Sequence, residues 1–413
     1  MSLKIPKVLT MDSFKFSNKY VLVRIDINSP IDPDSKVILD DARFREHART
    51  IRELIEDEAR ITLISHQGRP GDPDFTSLNG HADLLSSILG VDVKFIDDVC
   101  GPAAREAIRK LNPSEILLLE NVRFQSEELL ERKPELQAKT YLVSKLTPLF
   151  NYFILDAFAT AHRSQPSIVG FPMTLTSCAG RVMEAEVEAL RKIYGEMEGK
   201  VFILGGSKVR DSVKIIENLL VNNVTDKILL TGLLALVFLY AKDVKLSSQV
   251  VEAIKEKGLM GEVSKARELL RKYGEYIKMP VDGAVEVEGM RVEGDLESLK
   301  GRIMDIGAKT INLYKEEIKN AKTIIIRGPA GVIEKDEFRV GSEEIVKAAI
   351  ESGAYIIFGG GHMRAVVDNI TASFHGHMST GGGALLTFLS GEPLPGLEAL
   401  AASAQKYLKG INK

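Results

Sequence analysis

Short apolar runs punctuate the chain, and the residues just beyond each run differ between its two halves. In the first half, the runs at 20–23, 61–65, 116–120 and 153–155 give way to polar, mostly cationic residues. These are Arg24, Asp26 and Asn28; His66 and Arg69; Arg123; and Asp156, Thr160 and Arg163. In the second half, the runs at 201–204, 324–326 and 355–358 end in glycine clusters: Gly205-Gly206-Ser207-Lys208, Gly328-Pro329-Ala330-Gly331 and Gly359-Gly360-Gly361-His362. The runs do not alternate with polar residues, which is how strands buried on both faces of a parallel sheet read. Helix-like stretches at 45–59, 78–89 and 103–111 lie between them at βαβ spacing. The pattern predicts an α/β fold of two doubly wound, Rossmann-like parallel-sheet domains.

A charged segment at 183–198 separates the two sets of strands. Glu184, Glu186 and Glu188 come early in it and Lys192 late, an order that suits a helix dipole. It predicts a stiff hinge helix between domains at 1–180 and 181–396. The stretch 281–300, with Gly283, Gly289 and Gly294, reads as a hairpin. The most apolar run, 228–241, is too short for a membrane span of about twenty residues and reads as a buried strand and helix broken by Gly232. Residues 392–396 read as a linker, and 397–408 as an amphipathic helix.

Composition narrows the class. A chain of 413 residues with 45% apolar and 27% charged residues suits two or three globular domains. A net charge of −3 excludes a globally basic nucleic-acid binder. Cys100 and Cys178 cannot form a disulfide framework; buried free thiols in a reducing cytosol are expected. Residues 1–14 contain no apolar core of signal-peptide length, so neither export nor membrane anchoring is expected.

Ligands of open parallel sheets bind beyond the carboxyl ends of the strands. One half therefore offers Arg24, Arg43, His66, Arg69, Arg123 and Arg163 to a small anion, with arginine supplying planar bidentate donors. Asp26 and Asn28 alternate on one extended segment, as acceptors for a substrate hydroxyl. The other half offers bare N–H groups to nucleotide phosphates. Neither a P-loop nor a G-x-G-x-x-G fingerprint is present. Ser379-Thr380-Gly381-Gly382-Gly383 before the helical run 384–389 is the most specific anion-binding signal. His66, His362, His375 and His377 show no metal-ligand spacing with the cysteines, and core or capping roles are expected for His375 and His377.

The blocks VLVRIDIN (21–28), SHQGRP (65–70), LLLENVRF (117–124), DAFATAHR (156–163), LGGSKV (204–209), GPAG (328–331) and HMSTGGGA (377–384) occur in that order. They resemble the signature blocks of the phosphoglycerate kinase family in its archaeal spelling. The resemblance implies a kinase that interconverts 3-phosphoglycerate plus ATP with 1,3-bisphosphoglycerate plus ADP, using Mg2+ carried on the nucleotide. It implies a cytoplasmic, glycolytic monomer without nucleic-acid or membrane partners. Asp26, Asn28, Arg43, His66, Arg69, Arg123 and Arg163 would hold the phosphoglycerate. Arg43, Lys208 and Gly381, Gly382 and Gly383 would be catalytic. The nucleotide would meet Gly205, Gly206, Lys208, Gly232, Gly328 and Pro329. Further along it would meet Glu334 at the ribose, then Gly360, Gly361, His362, Met363 and Thr380. The tail 397–413 would fold back onto the first domain.

Three positions depart from the family pattern. Ser212 stands where a second lysine is common, with Lys214 on another helical face. His362 replaces the aspartate after the triple glycine, which leaves the protein ligands of the metal open; Asp305 is one candidate. Gln125-Ser126-Glu127 replaces a His-Pro-Gly-Glu loop. Two other classes are weighed: a catalytically silent homologue that still binds nucleotide and phosphoglycerate, and a two-lobed solute-binding protein.

Overall fold

The computed structural model describes residues 5–195, 198–370 and 373–411. Residues 196 and 197 of the expected hinge helix lie outside the described residues, as do 1–4 and 412–413 of the expected first domain and tail. The described residues form two compact units, one of residues 5–187 with 393–411 and the other within 188–392. The passage between them falls inside the helix Arg181–Tyr194.

The first unit holds β1 (Tyr20–Arg24), β2 (Arg60–Ile64), β3 (Val93–Ile96), β4 (Ile116–Leu119), β5 (Tyr152–Leu155) and β6 (Thr176–Ala179). They pair in parallel in the order β3-β4-β2-β1-β5-β6. The chain builds outward from β1 through β2 and then reverses to β5, so a topological switch point lies between β1 and β5. Val21, Val23, Ile25, Ile61, Leu63 and Ile154 form one side of its core. Each such buried aliphatic side chain contributes about 1.5–3 kcal/mol of transfer free energy.

The second unit holds β7 (Lys200–Leu204), β8 (Lys227–Leu230), β9 (Ile277–Lys278), β10 (Asp282–Val287), β11 (Met290–Asp295), β12 (Asp305–Ile306), β13 (Thr323–Arg327), β14 (Tyr355–Gly359) and β15 (Gly376–Ser379). Six of these form a second parallel sheet, β15-β14-β13-β7-β8-β9, with its switch point between β7 and β13. Strands β10 and β11 are the expected hairpin and form a small antiparallel sheet with β12. The run 228–241 divides as expected into β8 and the helix Gly232–Ala241.

Several boundaries move for local reasons. The helix expected at 45–59 spans Ala42–Glu56, because Ala42 N–H donates to Asp40 Oδ1 at 2.8 Å and the polar first turn lacks an apolar period. That shift places Arg43 in a helix. The helix expected at 384–389 is Gly382–Leu389, so two of the three glycines are helical and Gly381 caps them. Residues 392–396 do not all form a linker: the last helix begins at Pro395, whose missing N–H is harmless at a first helical position. That helix, Pro395–Ile411, packs on β6, where Ser403 Oγ accepts from Ser177 N–H at 3.0 Å.

Candidate functional site

Strand register gathers the polar groups of the first unit at one edge. Ile25 N–H donates to Ile64 carbonyl at 3.1 Å, Asp156 N–H to Arg24 carbonyl at 2.9 Å, and Val122 N–H to Ser65 carbonyl at 3.1 Å. The ends of β1, β2, β4 and β5 therefore lie side by side. Arg24 is buried and committed internally: Nε donates to Ser167 Oγ at 3.0 Å, Nη1 to the Ile25 carbonyl, and Nη2 to His66 Nδ1 at 3.0 Å. It therefore orients His66. Because Nδ1 accepts, the neutral imidazole carries its proton on Nε2.

Electrostatics shows that the cations converge. Burial, then the nearby Arg24, hold His66 well below its ordinary range, so it is neutral at pH 7. Burial lowers Arg123 to about 10, and Arg163, Arg24 and Arg69 add to the effect. Asp26 is the counterweight. Burial pushes its carboxyl up, but Arg43 first, then His66 and Arg24, bring it down to about 2. Arg43 Nη1 pairs directly with Asp26 Oδ2 while its own side chain stays 35% exposed. Asn28 Oδ1 accepts from Gly68 N–H at 2.9 Å, and the Gly68 carbonyl accepts from Arg123. The Nε of Arg123 is buried without a partner. Arg163 is half-buried and Arg69 exposed.

Several supporting residues carry little signal in the sequence. His47 Nε2 accepts from Asp26 N–H at 3.1 Å, and its Nδ1 donates to Asp156 Oδ2 at 3.0 Å. Asp156 Oδ1 in turn accepts from Val182 and Met183 N–H at 2.9 and 3.2 Å, capping the helix Arg181–Tyr194. Asn121 Nδ2 donates to the Gln67 and Thr76 carbonyls at 2.8 and 2.9 Å, tying the loop after β2 to the loop after β4. Its polar place directly after an apolar run is a usable signal; Glu128, buried against Ser167, gives none.

In the second unit, glycines let three loops meet at the switch point. Gly205 N–H donates to the Arg327 carbonyl at 2.8 Å and Gly206 N–H to the Pro329 carbonyl at 3.0 Å. A Cβ on Gly205 would fall 2.2 Å from Thr231 Oγ1, one on Gly328 2.4 Å from Gly205 O, and one on Gly232 2.7 Å from Gly206 N. Gly232 and Gly328 also take positive φ, 58° and 77°. Beside this cradle opens a cavity of about 310 Å³. Gly206, Gly232, Pro329, Glu334 and His362 line it, joined by Lys257 and Arg302, which no local sequence pattern marks.

The remaining candidates lie around or behind it. Lys208 is exposed and caps the helix Val209–Val221. Gly381 N–H donates to Ser379 Oγ at 3.1 Å, and open space surrounds the position of a Cβ on Gly360, Gly361 or Gly382. Gly383 comes next in the first helical turn, and Thr380 is half-buried before it. Met363 is 1% exposed and packs in the core of the unit rather than lining the cavity. His375 is exposed with its ring edge-on to Tyr355, so the core or capping role expected for it does not hold.

The phosphoglycerate kinase family profile matches residues 11–392. A curated phosphoglycerate kinase from Saccharolobus solfataricus is 51% identical over 397 residues, covering 95% of this chain and 97% of its own length. The chain belongs to the phosphoglycerate kinase family. A second phosphoglycerate kinase, from Methanothermus fervidus, is 45% identical over 408 residues, 98% of this chain and 100% of that one. The crystal structure of phosphoglycerate kinase from Pyrococcus horikoshii OT3 superposes with a TM-score of 0.88 at 42% identity, covering 96% of this chain and 99% of that one. The family makes the chain a kinase of two parallel-sheet α/β domains.

Against the family pattern, Ser212 is buried and Lys214 exposed, so the two occupy different faces of their helix. Asp305 is not free to hold a metal. Its Oδ1 accepts from its neighbour Ile306 N–H at 2.9 Å, and its Oδ2 from Arg291 Nη1 and Gly341 N–H, both at 2.8 Å. Burial nevertheless raises its carboxyl to about 6. Among the described residues, no cluster of three His, Cys, Asp or Glu side chains is placed to hold a metal ion.

Proposed function

We propose that the chain catalyses 1,3-bisphosphoglycerate + ADP = 3-phosphoglycerate + ATP. The observation that carries this reading is the mutual repulsion of the cations at the first switch point. Arg24, Arg69 and Arg163 all lower Arg123, an arrangement that an anionic ligand relieves. In the proposal, Asp26, Asn28, Arg43, His66, Arg69, Arg123 and Arg163 hold the phosphoglycerate. Arg24 and His47 position that set. His66 Nε2–H donates to the ligand, and Asp26 accepts from its hydroxyl.

The nucleotide takes the second unit. Its base and ribose occupy the cavity, with Glu334 at the ribose. Its phosphates lie along the Gly205-Gly206 cradle toward Lys208 and the helix start at Gly381–383. Gly360, Gly361 and His362 flank that path. Helix starts present N–H groups without intrahelical partners, and these suit phosphate oxygens.

No general base is needed. The acceptor is a carboxylate, ionised above about pH 4, and attacks the terminal phosphorus directly. The bond from that phosphorus to ADP breaks as the new one forms, and no proton moves. What remains is to position the ligands and spread charge on the transferring group, a task for Arg43, Lys208 and the Gly381–383 amides. The donor set fits magnesium held chiefly by the nucleotide's own oxygens and by water, as is usual for this ion. Bound there, it neutralises phosphate charge. The helix Arg181–Tyr194, running from one unit into the next, serves as the hinge whose motion excludes water.

A cytoplasmic glycolytic monomer completes the proposal. Cys100 and Cys178 are buried free thiols, as in reducing compartments. Among the described residues no helix is long and apolar enough to cross a membrane. A coupled assay with ATP, Mg2+ and 3-phosphoglycerate tests the activity. Nucleotide binding without turnover would make the protein a silent homologue.

A further inference from the structure

Arg327 is the last residue of β13, beside the switch point of the second unit. It is 8% exposed. Its stem passes Gly359, where a Cβ would lie 3.6 Å from Arg327 Cγ and 3.0 Å from Leu385 Cδ2. Leu385 belongs to the first turn of the helix Gly382–Leu389. The carboxylate whose charge acts on Arg327 is Asp211, in the first turn of the helix Val209–Val221. The side chain thus lies among the beginnings of two helices, whose N-terminal ends carry partial positive charge. Yet among the described residues none accepts a hydrogen bond from this guanidinium, and no carboxylate lies within ion-pair distance.

The helix Val209–Val221 carries an unsatisfied group of its own. Ser212, one turn beyond Lys208 on the same face, is buried, and its hydroxyl has no partner. Arginine cannot shed its proton to escape burial. The Arg327 nitrogens reach solvent without a protein acceptor, so they are free to donate to an anion bound among these helix N-termini.

We propose that Arg327 is a phosphate-binding residue, donating to the terminal phosphates of the nucleotide, with the Ser212 hydroxyl as a neighbouring donor. This rests on the phosphoryl-transfer reading above. Arg327 then supplies the second cation of the phosphate site, complementing Lys208 from the opposite side of β7.

Arg327→Met removes the charge and keeps the stem. Turnover should fall about 100-fold, as for loss of one transition-state donor. By calorimetry, affinity for Mg-ATP should fall about tenfold while that for adenosine stays within about twofold. The thermal midpoint of the ligand-free variant should hold, because the guanidinium has no hydrogen bond or ion pair to lose and the methionine keeps the apolar stem. Arg327→Lys should recover at least about a tenth of the wild-type rate. Wild-type turnover is measured alongside: an inactive wild type sinks the phosphoryl-transfer reading itself. An active wild type with Arg327→Met within about threefold of it overturns the assignment of Arg327. So does equal loss of ATP and adenosine binding with a lowered midpoint, the mark of a purely structural arginine. Should the methionine variant not fold, Arg327→Lys decides: weakened ATP but intact adenosine binding supports the proposal, and unchanged binding of both overturns it.

Discussion

At the scale of single residues, the candidate catalytic cations differ in what else they do. Lys208 is exposed and pairs with no described side chain, whereas Arg43 balances the buried Asp26. On their proposed roles, Lys208→Ala and Arg43→Ala each lower kcat about 100-fold. In urea melts, Lys208→Ala should stay within about 0.5 kcal/mol of the parent. Arg43→Ala should cost about 1–3 kcal/mol, less than a fully buried pair because Arg43 is partly exposed. Near-normal turnover in either variant would remove that residue from the chemistry. His81 makes a separate pH prediction. Burial lowers its imidazole from 6.5 to about 4, so the folded state keeps it neutral while the unfolded chain protonates it. Its contribution is complete above pH 6.5 and drains away as pH falls toward 4. The loss is about 2 kcal/mol between pH 7 and pH 5. In His81→Phe, the difference between urea midpoints at those two pH values should shrink accordingly; an unchanged difference would exclude His81 as its source. The strand-end cations were legible because an Arg or His stands out after an apolar run. Arg327 was not, since it reads as the last letter before Gly-Pro-Ala-Gly. The pairing of His47 with Asp156 leaves no trace in local pattern, because the two are joined only by tertiary packing.

At the scale of elements, dense Val, Ile and Leu made β1, β2, β4, β5, β7, β8, β13 and β14 readable, and spaced glycines made the β10–β11 hairpin readable. Strands β9 and β12 span two residues each, and β15 is the sequence Gly-His-Met-Ser, so neither length nor hydropathy marks them. Their pairing comes from neighbours already in place. The beginning of the helix Arg181–Tyr194 is held by a carboxylate from β5's end, which also anchors His47 and through it the backbone of Asp26. Gly180 makes this possible, since a Cβ there would lie 2.3 Å from Asp156 Oδ1. Gly180→Ala should therefore cost about 2–4 kcal/mol in chemical denaturation, through the lost cap and charge-assisted hydrogen bonds. It should also raise KM for 3-phosphoglycerate more than KM for ATP. A variant matching the parent in both measurements would show that the Asp156 bridge is dispensable.

At the scale of the whole molecule, the two-domain division was readable from the change in strand endings. The reassignment of the last helix to the first unit came from family resemblance, because amphipathicity says that a face is buried without saying against what. Leu394, Leu397 and Leu400 of that segment are at most 1% exposed. Gly396 N–H donates to the Ala161 carbonyl at 2.9 Å. A chain ending at Glu392 should lose at least about 4 kcal/mol from the unit built on β1–β6, visible as an earlier circular-dichroism transition. An unaltered transition would mean that the helix contributes no stability to that unit. The same helix sets an order of events during synthesis. Domains usually complete themselves as they leave the ribosome, the N-terminal one first. Here the surface of β6 waits for a helix that lies 226 positions further along the chain at Ser403, so the unit made first cannot finish folding until the intervening second unit has been made.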